Sequence, residues 1–248
     1  MASPDFLARA DERIVERLVA NRSITRITET TALSPAQMQE RAIISPARMG
    51  QPQVDAFREV RTRLLAAAND NNIVTLVASV SRGSGGSFVA RNLAAAFAFD
   101  ETKSAVLIDC DIYRPSQHST MRIEPFKGGL VNYLEDPATF IADMLYETGI
   151  PRLRLIPAGD SPTHNAEYFS SFRMRLLVDS LRSRYPDRYL FLDSPPVRGA
   201  PDARILADIA DVVVLVAGYG RDSPDEIARA AANFDPNKFA GVVFNEGA

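Results

Sequence analysis

At 248 residues, 46% of them hydrophobic and 24% charged, the chain is long enough to bury a substantial core, and one α/β domain with an N-terminal extension accounts for the length. The formal net charge of -3 excludes the basic excess that holds nucleic acid or anionic lipid by bulk electrostatics. A single cysteine, Cys110, excludes an intrachain disulfide, and no stretch reaches the roughly 18 apolar residues of a membrane-spanning helix.

The first residues lack the basic start and apolar run of a secretory leader, so the expected location is the cytoplasm, or the membrane periphery where a partner holds the chain there. Ser3-Pro4-Asp5 reads as a helix start, and Leu7, Ile14, Val15, Leu18 and Val19 follow at helical spacing. Thr- and Ser-rich residues 23–34 read as a linker, and Ser34-Pro35-Ala36-Gln37 repeats the capping signature before a second short helix. Residues 1–50 are therefore expected to be a helical extension and linker, and residues 51–248 the nucleotide-binding-like domain.

A helix over 53–68 leads into alternating apolar runs and helical patterns, which imply parallel strands joined by crossover helices. The expected strands are 73–79, 105–109, 153–157, 189–193, 212–217 and 241–245; their Val, Leu and Ile content suits strands covered on both faces. The expected helices are 87–99, 166–184, 202–209 and 224–233, the last opened by the capping box Ser223-Pro224-Asp225-Glu226. On the helix over 166–184, Phe169, Phe172, Leu176 and Leu177 read as core positions. His118 and His164 lack metal-ligand spacing, and Cys110 reads as a small buried thiol.

In such a sheet, ligands bind beyond the carboxyl ends of the strands. The first strand runs into Ser79-Val80-Ser81-Arg82-Gly83-Ser84-Gly85-Gly86-Ser87, where glycines let backbone N–H groups converge on phosphate and the next helix adds its positive end. Ser87 occupies the position of the P-loop Mg²⁺ hydroxyl, Val80 replaces the leading glycine, and Gly86 replaces the lysine. Glycine-rich strand-to-helix turns also occur without a ligand. The second strand ends in Asp109-Cys110-Asp111 with Arg114 close behind, an acid pair suited to Mg²⁺ and water activation, or more plainly to capping the following turn. A third strand ends in Asp193-Ser194-Pro195-Pro196, placed as a Walker B aspartate is. The last strand ends in Asn245, an amide suited to a base edge or to a turn.

Taken together, these residues resemble the bacterial tyrosine kinases of capsule and exopolysaccharide synthesis, over roughly residues 53–245. The run from Ala105 through Asp109 and Asp111 to Arg114-Pro115 resembles that family's second Walker motif, and Leu155-Ile156-Pro157-Ala158-Gly159 with Asn165-Ala166-Glu167 and Leu192-Asp193-Ser194-Pro195-Pro196 with Asp202-Ala203 resemble two further segments. Asp55, Arg58 and Arg61 resemble its oligomerisation motif, and Gly128 to Leu134 resembles a family loop and short helix to which no chemistry is assigned.

The resemblance implies a MinD/ParA-like P-loop sheet, doubly wound and mostly parallel. It implies ATP or ADP with Mg²⁺ as ligand, and an inner-membrane polysaccharide co-polymerase as partner. By the same resemblance Ser87 and Asp193 touch Mg²⁺, Asp109 and Asp111 line the reacting phosphate, and Ser81 through Ser87 with Asn245 hold nucleotide.

Two departures bear on activity: Gly86 at the lysine position, and a last tyrosine at Tyr219 with no C-terminal tyrosine cluster. The reading adopted is a degenerate, pseudokinase-like regulatory partner with weak or no turnover, forming homo-oligomers through Asp55, Arg58 and Arg61 and entering neither nucleic acid nor membrane directly. The alternative is an active ATPase or tyrosine autokinase that uses Arg82 as its phosphate cation. A third reading, a MinD/ParA-type positioning ATPase, is disfavoured by Ser81, which stands where that group keeps a second lysine, and by the lack of a basic amphipathic helix at the C-terminus.

Overall fold

The structure is a computed structural model that describes residues 32–48, 50–68, 71–159, 167–199 and 201–247. The expected helix near the N-terminus, His164 and Asn165-Ala166 lie outside the described residues.

In chain order the elements are α1 (Pro35–Glu40), α2 (Pro52–Ala68), β1 (Val74–Ser79), α3 (Gly86–Ala98), β2 (Ser104–Asp109), α4 (Gln117–Thr120), α5 (Leu130–Glu135), β3 (Tyr146–Glu147), β4 (Leu153–Ile156), α6 (Glu167–Ser170), α7 (Phe172–Ser183), β5 (Arg188–Asp193), α8 (Asp202–Ile209), β6 (Val212–Gly218), α9 (Pro224–Ala231) and β7 (Phe239–Asn245). The sheet has seven strands in the order β3-β4-β2-β5-β1-β6-β7. All neighbours run parallel except β3, which pairs antiparallel with β4. The two-residue β3 escapes sequence reading because it is too short to show a period.

Strands β1, β2, β5 and β6 are buried at every position, as expected for strands covered on both faces. Alternation sorts them between two layers: Leu76 and Ala78 of β1 pack toward α5 to α9, whereas Val77 packs toward α2 and α3. On the latter side, Phe97 of α3 is fully buried, its ring 4.7 Å from that of Tyr189 and 5.1 Å from that of Phe191.

The described part of the N-terminal extension joins this second layer. Ser34 and Gln37 form the expected capping box, with Ser34 N donating to Gln37 Oε1 at 2.9 Å, and Met38, Ile43 and Ile44 are buried in the same cluster as α2 and α3. Ile44 N donates to Asn92 Oδ1 at 2.7 Å, and Asn92 Nδ2 donates back to Ala42 O at 3.0 Å, which ties this segment to α3.

The helix expected over 166–184 is two helices. Ser171 breaks it by accepting the Met174 N–H on its hydroxyl at 3.1 Å, so that a new helix starts at Phe172. The break changes which residues face inward: Phe169 and Leu177 are fully buried as expected, but Phe172 is 77% exposed and Leu176 is 43% exposed, which corrects their reading as core positions.

Candidate functional site

The register of the sheet builds the acid side of the site. Asp109 ends β2 directly opposite Asp193, which ends β5, and Asp193 is in turn opposite Val77 of β1. Parallel neighbours lie about 4.8 Å apart, so two fully buried carboxyls stand side by side at the strand ends, next to the strand that feeds the glycine loop.

Each of these acids is held differently. Asp109 Oδ2 accepts the Ser116 and Gln117 N–H groups at 3.1 and 3.0 Å, and its Oδ1 accepts the Asp111 N–H at 3.2 Å, so backbone donors take both oxygens. Asp193 Oδ2 accepts Gln117 Nε2 at 2.6 Å and the nearby Ser87 hydroxyl helps to stabilise this carboxylate, while Asp193 Oδ1 is buried with no protein partner. Burial is the main cause that raises both carboxyls above the ordinary range; for Asp109 the charge of Asp193 adds to it. Asp111 is half-buried and takes the Arg114 N–H at 3.1 Å; burial raises it too.

Arg91 and Gln117, which sequence reading missed, complete this pocket. Arg91, 4% exposed on α3 one turn beyond Ser87, donates from Nη1 to Gln117 Oε1 at 2.9 Å, and Gln117 also reaches Ser87 O at 2.9 Å. Burial lowers the Arg91 pKa and the charges of Asp193 and Asp109 raise it, so Arg91 is the buried cation that offsets the two acids. The signal for it was present: Arg91 is the lone charge in the apolar run from Phe88 to Ala98. Asp202, at the start of α8, is also buried, with Tyr113 Oη 3.4 Å from its Oδ1. Cys110 is buried among Asp109, Asp193, Asp111 and Asp202; burial first and these charges next raise its thiol, which makes it inert packing.

The glycine loop lies across β1 from the acids. Gly83 and Gly85 adopt φ of +82° and +93°, a region that side chains disfavour. At Gly85 a Cβ would come within 2.0 Å of Asn245 Nδ2, so glycine is required there twice over. Asn245 donates that amide to Ser84 O at 3.1 Å and accepts the Tyr219 N–H on its own carbonyl, so it braces the loop. Gly86 is buried with Ser79 beneath it, 3.1 Å from where a Cβ would sit. Arg82 is exposed and, among the described residues, its side chain makes no hydrogen bond or ion pair.

Asp222, in the turn after β6, reaches into the loop from its far side. Its Oδ2 lies 2.6 Å from Ser84 Oγ and 2.7 Å from Gly218 N, and its Oδ1 bonds Ser81 Oγ. These donors outweigh burial and hold the Asp222 carboxyl below the usual range. Its neighbour Arg221 donates from Nη1 to Arg82 O at 3.2 Å. Neither residue belonged to the expected site, although the strand-end rule that led to Asp109 and Asp193 applies equally to β6.

The remaining expected residues lie apart from this cleft on α2. Asp55 and Arg58 form an exposed pair at 3.7 Å, while Arg61 Nη1 donates to Ala96 O at 2.9 Å, within the chain. Between α2, Phe88 and Val243 to Gly247 lies an open cleft of about 360 Å³ that reaches Asn245. His118 belongs to no cluster of metal-ligand type, none being found among the described residues.

A glycine loop between β1 and α3, strand-end acids beside it and this strand order define the P-loop class of the MinD/ParA kind. The cell-division ATPase MinD of Pyrococcus furiosus shares the fold, with a TM-score of 0.56 over 70% of both chains at 15% identity. No family model matches the chain. The tyrosine-protein kinase CpsD of Streptococcus agalactiae is 27% identical over 204 residues, 82% of this chain and 87% of that one. The tyrosine-protein kinase Wzc of Salmonella typhimurium is 31% identical over 195 residues, 77% of this chain but 26% of its own length. The solved BceF tyrosine kinase domain superimposes with a TM-score of 0.70 at 28% identity, covering 87% of this chain and 90% of that one. These relatives are named bacterial tyrosine-protein kinases and the solved neighbour is a domain of that kind, and that is the family to which the chain is similar.

Proposed function

We propose that this chain is a kinase-like regulatory subunit of exopolysaccharide or capsule assembly that takes Mg-ATP or Mg-ADP on the loop after β1 and turns it over poorly. The observation that carries the reading is Gly86 in the lysine position, next to strand-end acids that are all present. Losing a charged donor to a transferring phosphoryl group costs about 3 to 4 kcal/mol, or two to three decades of rate, by analogy with an oxyanion-hole donor.

The residues present fit a magnesium ion. Asp193 Oδ1 is buried without a protein partner and the Ser87 hydroxyl lies near the same carboxyl, which is one carboxylate and one hydroxyl of the kind Mg²⁺ uses alongside waters and phosphate. When bound, the ion neutralises charge on the phosphates. Gln117 and Arg91 orient Asp193 for this task, and Asp109, its oxygens taken by backbone, positions the turn that carries Asp111. Asp111 is the acid with solvent access, and so the one suited to receive a proton. The loop N–H groups and the start of α3 bind phosphate.

The partner under this reading is an inner-membrane polysaccharide co-polymerase that holds the chain at the cytoplasmic face, with Asp55, Arg58 and Arg61 at an oligomer interface. Support comes from the Wzc match, which fills 26% of that kinase and so corresponds to one unit within a larger protein. In addition, no helix among the described residues is long and apolar enough to cross a membrane.

The test is a calorimetric titration with Mg-ATP and Mg-ADP, a hydrolysis and phosphotyrosine assay, and affinity purification from cells. The expected result is binding with feeble turnover and co-purification of a membrane co-polymerase. Efficient hydrolysis or tyrosine phosphorylation that Asp111→Asn abolishes would replace this reading with that of a working kinase or ATPase. That second reading rests on the intact acids Asp109, Asp111 and Asp193.

A further inference from the structure

We infer that Arg221, from the turn after β6, is the cation that meets nucleotide phosphate on the glycine loop in the absence of a lysine at position 86; the inference rests on the nucleotide-binding reading of that loop. The loop has the backbone of an anion site, but the side chain of its own arginine, Arg82, is exposed and makes no hydrogen bond or ion pair among the described residues. Arg221 instead lies over the loop. A Cβ on Gly83 would come within 3.1 Å of Arg221 Nη1 and 3.2 Å of its Cζ, so the guanidinium rests directly on the glycine.

A second glycine lets the stem arrive there. A Cβ on Gly218 would stand 3.2 Å from both Cβ and Cδ of Arg221, so the side chain crosses the β6 end only because that residue has none. The guanidinium is anchored through one nitrogen, by the 3.2 Å bond to Arg82 O. A planar fork held at one corner keeps donors for phosphate oxygens, which it matches in a bidentate way.

The charge that faces it is Asp222, whose carboxyl is engaged by the Ser81 and Ser84 hydroxyls and by Gly218 N. Asp222 fixes the turn that presents Arg221 and opposes an incoming phosphate at the same time. The arrangement moves the cation from inside the loop to its rim. A rim cation supports binding of ground-state phosphate more than it supports transfer, in keeping with a subunit that holds nucleotide without spending it.

The experiment is calorimetry on the full chain with Mg-ADP, Mg-ATP, pyrophosphate and adenosine, comparing wild type with Arg221→Gln, Arg221→Lys and Arg82→Gln. Losing a charge-assisted contact predicts about tenfold to a hundredfold weaker ADP and pyrophosphate binding for Arg221→Gln. Arg221→Lys recovers part of that loss, Arg82→Gln changes affinity by less than about fivefold, and adenosine binding is the same throughout. Thermal melts verify that the variants stay folded.

Equal ADP and pyrophosphate affinity for wild type and Arg221→Gln, or a loss that follows Arg82→Gln instead, overturns the inference while leaving the nucleotide site standing. A wild type that binds neither nucleotide nor pyrophosphate overturns the site itself.

Discussion

The acid pocket and the glycine loop sit on either side of the end of β1, yet they are built in opposite ways. In the pocket, Asp109, Asp193, Gln117 and Arg91 are all buried, and each depends on the others for its hydrogen bonds or its charge balance. In the loop, a Cβ at position 86 would first meet Ser79, and the nearby cations Arg82 and Arg221 are exposed. Removing a pocket residue strands a charge in the interior, whereas replacing a loop lysine by glycine strands nothing. The difference teaches how glycine at position 86 stands beside a full set of strand-end acids: the acids also hold the fold, whereas a side chain at position 86 would not.

The largest expected effect that would break this contrast is on stability. Arg91→Ala leaves two buried acids without their cation and Gln117 Oε1 without its donor, and should cost about 3 to 5 kcal/mol in urea unfolding. A loss below 1 kcal/mol, on that order, would mean that the pocket is no more coupled than a surface pair.

Next in size is the converse change in the loop. Gly86→Lys should raise ATP turnover by about two to three decades, with little change in melting temperature provided Ser79 gives way by a few tenths of an ångström. No gain in rate would place the defect elsewhere than at the missing lysine.

A smaller effect concerns pH. Because the folded-state pKa of Asp193 is raised to about 6 from 3.8, the folded chain binds more protons than the unfolded chain between these values, and stability should fall as pH rises through that window. Asp193→Asn should reduce that slope, with Asp109 and Asp111, which burial also raises, keeping the rest, and Mg²⁺ should recover stability near pH 7 in the wild type but not in this variant. The smallest effect is expected at Phe172: Phe172→Ser should shift stability by no more than about 0.5 kcal/mol, against about 3 to 5 kcal/mol for Phe169→Ala, since one ring is exposed and the other buried.

Much of this was legible in the chain. The strands announced themselves by continuous apolar runs, and Asp109 and Asp193 by their place at strand ends, since burial on both faces leaves a strand few other compositions. The register that sets Asp109 opposite Asp193 was not legible, because it depends on strand order and no local pattern encodes which runs become neighbours. Arg221, Asp222 and Gln117 were missed for a related reason: each is an ordinary polar residue in a turn or short helix until the sheet brings it against another segment. The break at Ser171 was local, but the helical period of residues 166–184 masked a cap that only its hydrogen bond to Met174 reveals.

The clasp between the segment around Ala42 to Ile44 and α3 has a mechanical consequence. Asn92 grips that segment through two hydrogen bonds, and Arg91 reaches Ala42 O as well at 3.4 Å, so the residues one turn beyond Ser87 are also the attachment point of the chain's N-terminal stretch. A displacement of that segment is therefore felt at the helix that opens after the glycine loop, as well as at Gly149 and Arg122, where Leu33 and Glu40 hold the same stretch.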